Sequence, residues 1–176
     1  MAGIIVVVTF YSRGGATEAL AHAAAVGAVQ ARAGIRLRRV ADSDPQALLE
    51  RSPELAGTVR QMQKEYVEPR EADILAADVL IVGTPADVDV SAPEWSSYVA
   101  LLEHVHASGK LAGKVAAAIP NGAAADSFTA LFHRLSLTTP PDTGTTAAAD
   151  TAGAVALGRQ AVALAHSLAA ASNPAR

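Results

Sequence analysis

Short, unbroken apolar runs alternate along this chain with longer stretches of helical periodicity, the pattern of a parallel sheet covered by helices on both faces. Residues 4–8, Ile-Ile-Val-Val-Val, are apolar and β-branched throughout, as a strand buried on both sides requires. Residues 17–33 have high helix propensity and run up to Gly34, a residue suited to the C′ position. In residues 35–40 apolar and basic side chains partly alternate, so only one face can be well buried and the segment reads as an edge strand. Asp44 and Pro45 supply an N-cap and an N1 proline for a short helix through Glu50. Residues 53–69 are polar, with Leu55, Met62 and Tyr66 as their large anchors, and read as irregular chain with a helical turn.

Residues 73–77 make a brief turn ahead of the second fully apolar strand, 79–82, which Gly83-Thr84-Pro85 ends because proline cannot continue the ladder. Trp95, Val99, Leu102 and Val105 or His106 fall at helical spacing after Ala92 and Pro93. Gly109 and Gly113 flank a turn into a fourth strand at 115–119, and Phe128, Leu131, Phe132 and Leu135 mark the next helix. A fifth strand is expected at 136–139, just before Pro140 and Pro141. A helix over 154–170, with Leu157, Ala161, Leu164 and Leu168 on one face, closes the chain. Two central strands and an amphipathic edge strand placed second in sequence favour a doubly wound α/β architecture, with a five-stranded parallel sheet of order 2-1-3-4-5. One domain over 1–171 with a frayed tail at 172–176 is the expectation.

Composition narrows the chemistry. None of the 176 residues is cysteine, which removes disulfides, thiolate nucleophiles, Cys-type zinc sites and iron–sulfur clusters, so redox work requires a bound cofactor. A formal net charge of −3 gives no footprint for nucleic acid and suits a small, nearly neutral partner. Met1 leads into the first strand with neither a basic leader nor a cleavage site, and no apolar run reaches ~18 residues; a cytoplasmic protein without a membrane segment is expected. Alanine tracts at 23–25, 116–118, 123–125 and 147–149 sit among differing residues and are not repeats; biased genomic composition explains them as well as function does.

In an open parallel sheet the binding crevice lies at the carboxyl ends of the strands where strand order reverses, here between strands one and three. Ser12, Arg13, Gly14 and Gly15 lead straight into a helix N-terminus, where unpaired amides and the helix dipole favour an anion. The glycines permit positive φ and close approach of the backbone to a ligand, and the Ser12 and Thr17 hydroxyls add donors. The same residues equally suit a plain helix cap with a tight turn. The loop is neither Gly-x-Gly-x-x-Gly nor a Walker A sequence.

Tyr11-Ser12-Arg13-Gly14-Gly15-Ala16-Thr17-Glu18, followed by Leu20-Ala21, resembles the phosphate loop of flavodoxin-like proteins, especially the quinone-reductase branch typified by WrbA. Gly83-Thr84-Pro85 resembles that branch's second flavin loop, and the similarity runs from residue 1 to about 137. The resemblance implies a flavodoxin-like three-layer α/β/α fold binding FMN. The phosphate would lie on Ser12, Arg13, Gly14, Gly15, Ala16 and Thr17, with Arg13 balancing its charge or facing solvent. The ring would be bordered by Thr84, Pro85, Ala86, Asp87 and Val88 and by Asn121 and Gly122. It implies NAD(P)H as donor, a quinone as acceptor and a homodimer or homotetramer. The chain departs from the branch where Pro-Thr-Arg-aromatic-Gly is replaced by Pro85-Ala86-Asp87-Val88-Asp89, which loses an aromatic wall and exchanges a cation for acids. The third loop, Pro120 to Ala125, is shorter with one glycine, and the later aromatic and glycine-rich segment is reduced to residues 140–153.

These departures motivate an alternative in which flavin is lost and the crevice serves a non-redox reaction or an assembly role. Asp87 and Asp89 would then be the candidate catalysts, one acting as acid or base if burial raises its pKa, although alternation along an extended loop keeps both from one substrate atom. Simple solvation of these aspartates is the plainer reading. His104, His106 and His133 are expected on the surface and Trp95 in packing. Arg36, Arg38 and Arg39 are expected to guard the sheet edge.

Overall fold

The computed structural model describes residues 3–141 and 150–172. Its sheet is parallel, of order β2-β1-β3-β4, built from β1 Ile5–Phe10, β2 Gly34–Arg39, β3 Val79–Gly83 and β4 Val115–Ala118. β1 sits centrally, Phe10 lying opposite Arg39 on one side and Gly83 on the other. The expected fifth strand is reduced to one isolated bridge between Thr138 and Val115, carried by Ala116 N–H to Thr138 O at 2.9 Å. Ser136 turns to φ 57 at the end of the preceding helix, so the chain reaches the edge with too few residues before Pro140 and Pro141 to extend a ladder. The order 2-1-3-4 otherwise follows the expectation.

β1 and β3 are buried on both faces, and their alternate side chains feed two cores. Val6, Val8 and Phe10 pack under α1 (Ala16–Gln30) and α7 (Thr151–Ser172). Val7 and Tyr11 face the opposite layer, where Trp95, Tyr98, Leu102, Phe128 and Phe132 converge. That layer contains α4 (Glu71–Ala76), α5 (Ser96–Ala107) and α6 (Ala123–Arg134). Asp44 caps α2 (Pro45–Arg51) by accepting from Ala47 N–H at 2.9 Å, as its sequence anticipates.

Several local readings change. Residues 53–69 are not mainly irregular: a 3-10 turn, Pro53–Leu55, runs into α3 (Ala56–Glu65), whose single apolar stripe of Val59 and Met62 is buried. The brief turn at 73–77 is the helix α4. Helix α1 stops at Gln30; Arg32, with φ 66, takes the left-handed position expected of Gly34, which instead begins β2 and donates to Ile4 O at 2.9 Å. In α7 the buried stripe is Ala154, Gly158, Ala161, Val162 and Ala165, and Leu157, Leu164 and Leu168 flank it half-buried. Helix α7 is also long and apolar enough to span a bilayer by composition; here one face packs on α1. Of the frayed tail expected at 172–176, Ser172 instead ends α7, while residues 173–176 and the alanine tract at 147–149 lie outside the described residues.

The arginines of β2 divide. Arg36 and Arg38 share Asp73 at 3.2 and 2.7 Å, tying the edge to α4, while Arg39 turns inward and is 4% exposed. The edge is thus held by ion pairs and by Arg39 N–H donating to Val67 O at 3.1 Å, rather than by bare positive charge.

Candidate functional site

Strand β1 delivers Tyr11 and Ser12 to the carboxyl edge of the sheet, and the chain then reverses through Arg13, Gly14 and Gly15 into α1. Gly15 is the N-cap, at φ 92 and ψ −12, a left-handed conformation that a β-branched residue resists strongly. Its N–H donates to Ser12 Oγ at 3.1 Å, which ties the Ser12 side chain to the loop itself. Ser12 is buried, whereas Gly14 and Ala16 are exposed. Among the described residues the amides of Gly14, Ala16, Thr17 and Glu18 donate to no protein acceptor, and the first loop-to-helix bond is Ala19 N–H to Gly15 O at 3.0 Å. Thr17 is buried against Gly83: a Cβ on Gly83 would lie 3.2 Å from the Thr17 methyl and 3.3 Å from Ile119, so glycine there lets the helix start close to the sheet.

The loop is braced from two directions that its sequence does not announce. The start of α3 lies over the glycines, with Leu55 3.6 Å from a Cβ built on Gly14 and Thr58 3.9 Å from one on Gly15. Tyr66, beyond α3, donates its hydroxyl to Glu18 Oε1 at 2.6 Å and lies 2.6 Å from His22 Nε2, fixing the first-turn carboxylate on the α3 side; burial and that carboxylate push the Tyr66 pKa up. Beneath the loop, Arg39 Nη2 donates to Ser12 O at 3.0 Å and to Asp42 Oδ2 at 2.9 Å. A sequence signal for Arg39 existed: Arg38 and Arg39 are adjacent in a strand, so the pleat sends one of them to the buried face. Nothing comparable in sequence marks Leu55, Thr58 or Tyr66 as loop supports.

The second loop is held by buried side-chain hydrogen bonds. Thr84, 2% exposed, donates its hydroxyl to Val88 O at 2.5 Å and accepts from Trp95 Nε1 at 3.1 Å. Val88 N–H closes a turn on Pro85 O at 3.0 Å, and Val90 N–H donates to Ser127 Oγ at 3.0 Å. Asn121 of the third loop gives its Nδ2 to Thr84 O at 2.8 Å, while Gly122, at φ 71, opens α6. Thr84 and Asn121 therefore lace the two loops together. Pro85 and Ala86 border the crevice, and Val88 is buried.

Asp87 and Asp89 part company as alternation requires. Asp87 reaches across the crevice mouth to Arg13, Nη2 to Oδ1 2.5 Å, and this hydrogen bond holds its carboxyl below the ordinary aspartate range while raising the guanidinium. Asp89 accepts from the Ser91 N–H and hydroxyl, which likewise lower its pKa. Both are exposed and ionised at neutral pH, so the burial that would adapt either to proton transfer is missing. His104, His106 and His133 lie on the surface, and Trp95 is a core residue at 0% exposure.

The arrangement fits the phosphate end of FMN better than its ring end. A left-handed glycine, an exposed neighbouring glycine and unpartnered first-turn amides are the donor set that an anion requires. No aromatic side chain lies in the second or third loop, and Trp95, Tyr98 and Tyr11 are all buried. A separate cavity of about 160 Å³ lies between the end of β2 and the start of α5, lined by Asp42, Glu68, Glu94 and Tyr98 among others. Its acidic wall does not suit a phosphate.

No protein-family model matches the chain, and no curated protein matches its sequence. Solved structures do. A short-chain flavodoxin associated with a non-canonical PDU bacterial microcompartment aligns at TM-score 0.63 and 15% identity, covering 92% of this chain and 99% of its own. A WrbA-like flavodoxin from Agrobacterium tumefaciens aligns at 0.61 and 17%, covering 94% and 99%. A diflavin flavoprotein from Nostoc sp. aligns at 0.54 and 13%, covering 97% and 96%. At these identities the likeness is one of architecture, and together with the parallel 2-1-3-4 sheet it establishes that this chain has the flavodoxin-like fold.

Proposed function

We propose that the crevice between β1 and β3 binds FMN by its phosphate, and that the chain acts as a flavin-dependent NAD(P)H oxidoreductase of quinone-reductase type. The observation that carries the reading is the unpartnered set of amides at Gly14, Ala16, Thr17 and Glu18, presented at the switch point of a flavodoxin-like sheet. Bound FMN would accept hydride from NAD(P)H and pass two electrons to a quinone, chemistry that belongs to the cofactor. The chain's own part is to hold and orient. Gly14 and Gly15 admit the phosphate close to the backbone, and Ser12 fixes the Gly15 amide. Pro85, Ala86 and the Asn121-Gly122 turn border the ring against a second loop made rigid by Thr84, Trp95 and Ser127. A homodimer or homotetramer belongs to the same proposal.

Titration of purified protein with FMN and riboflavin, read by flavin fluorescence, tests this. Tighter binding of FMN than of riboflavin is expected. Gly15→Val, forced from its left-handed conformation at a cost of about 1–3 kcal/mol, should weaken FMN by roughly tenfold or more. Equal FMN affinity in a folded Gly15→Val protein would refute the placement of the phosphate.

A second reading has its own support: Arg13 and Asp87 pair with each other, and the Thr84 and Asn121 side chains are engaged within the protein, which leaves few side chains free for an isoalloxazine ring. Under it the crevice has given up flavin and serves a non-redox or assembly role. Protein that quenches no FMN fluorescence at micromolar concentrations would select it.

A further inference from the structure

Arg39 is the deeply buried cation of this site. It comes from the last residue of β2, is 4% exposed, and its side chain faces Asp42, whose own side chain is 2% exposed. Burying two charges is unfavourable unless they are paired and further hydrogen-bonded, and the third partner of this pair is Ser12 O in the phosphate loop. Ser12 in turn accepts the Gly15 amide through Oγ. The covalent and hydrogen-bonded path from Arg39 thus ends on Gly15, the left-handed residue that opens α1 beside the unpartnered amides. Arg13, the obvious cation by sequence, is committed to Asp87 across the mouth.

We infer that Arg39, held by Asp42, is the positioning residue of the phosphate loop: through Ser12 O it fixes the conformation that leaves the amides of Gly14, Ala16, Thr17 and Glu18 free for a phosphoryl group. Arg39 touches no ligand in this role. The inference rests on the loop's being a phosphoryl cradle. One nitrogen, Nη2, serves the carbonyl and the carboxylate through its two N–H groups, while Arg39 Nε and Asp42 Oδ1 are buried with no partner among the described residues.

The test uses the whole chain. In Arg39→Gln/Asp42→Asn, which removes both charges and strands neither, loss of the charged hydrogen bond should weaken FMN about tenfold or more while riboflavin changes by less than about twofold. Arg39→Lys should recover FMN affinity only in part. Arg38→Gln, which breaks an ion pair on the same strand remote from the loop, should leave the FMN-to-riboflavin ratio unaltered. Unchanged FMN binding in the double variant, or equal losses for both flavins, would overturn the inference. Hydrogen exchange of the unligated protein supplies a readout that does not need flavin: the Gly15 amide should exchange about tenfold faster in the double variant while the Leu80 and Ile81 amides of β3 keep their protection. An unaltered Gly15 rate also overturns the inference. Should the wild type bind neither flavin, the proposed function fails, and the Gly15 rate alone decides whether Arg39 braces the loop.

Discussion

At the scale of single residues, the site is governed by which charges are already engaged. Asp87 in the second loop is met by Arg13 in the first, so the two make an ion pair between the loops instead of leaving a bare acidic wall. The Arg13 and Asp87 side chains are 34% and 67% exposed, and pairs so placed are worth about 0.2–1 kcal/mol. Under the proposed function, a phosphate arriving at the loop would compete with Asp87 for Arg13. Asp87→Asn should therefore tighten FMN by roughly two- to fivefold, leave riboflavin unchanged, and make FMN binding steeper in salt, because the freed guanidinium meets the phosphate directly. Parallel titrations at low and high ionic strength measure this; weaker FMN binding in the variant would show that the bridge supports the site rather than competing with it.

At the scale of elements, the edge strand β2 is secured by one carboxylate. Burial raises the Asp73 pKa, but the hydrogen bonds from Arg38, from the Arg70 N–H and from Arg36 outweigh it, and the net shift is downward. A carboxyl whose folded pKa lies below its unfolded value of about 3.9 contributes stability that is complete above that value and lost as pH falls through the folded one. Asp73→Asn should cost about 1–3 kcal/mol at neutral pH and flatten the acid limb of the stability curve, as denaturant unfolding between neutral and strongly acid pH would record; an acid limb as steep as the wild type's would clear Asp73 of the role. This network also shows where sequence reading succeeds. β1 and β3 were legible because strands buried on both faces are almost wholly apolar, and Asp44-Pro45 because cap chemistry is local. Helix α3 was not, since its apolar stripe is only Val59 and Met62 among residues chosen for solvent. The fifth strand misread a four-residue run that pairs at Thr138 alone. The loop at Ser12 to Thr17 was legible by its glycines and Arg39 by its adjacency to Arg38 in a strand, while the supports Leu55 and Tyr66 come from a segment far along the chain and carry no local signature.

At the scale of the molecule, the alanine-rich composition has a packing consequence. Helices α1 and α7 meet backbone to backbone: a Cβ on Gly27 would fall 2.0 Å from Val155 O, and one on Gly158 2.1 Å from Ala24 O. Around them Ala21, Ala24, Ala28, Ala154, Ala161 and Ala165 are buried, so small residues set the spacing of the layer that covers β1 and β3. In an isolated helix, alanine is better than glycine by about 0.8–1 kcal/mol. At Gly158 that gain meets an overlap with a carbonyl oxygen that no rotamer can relieve; separating the helices costs typically about 1–3 kcal/mol and exposes the core beneath. The overlap wins, and Gly158→Ala should lower Tm by roughly 2–8 °C for a chain of this size. Gly57 in α3 is the counterpart, because a Cβ there meets nothing within 4 Å. Gly57→Ala should raise Tm by about 1–4 °C through helix propensity alone. Thermal unfolding of the two variants beside the wild type compares the same chemical change in two settings, and shifts of one sign for both would mean that the close approach of α1 and α7 does not determine the stability of this sheet's helical cover.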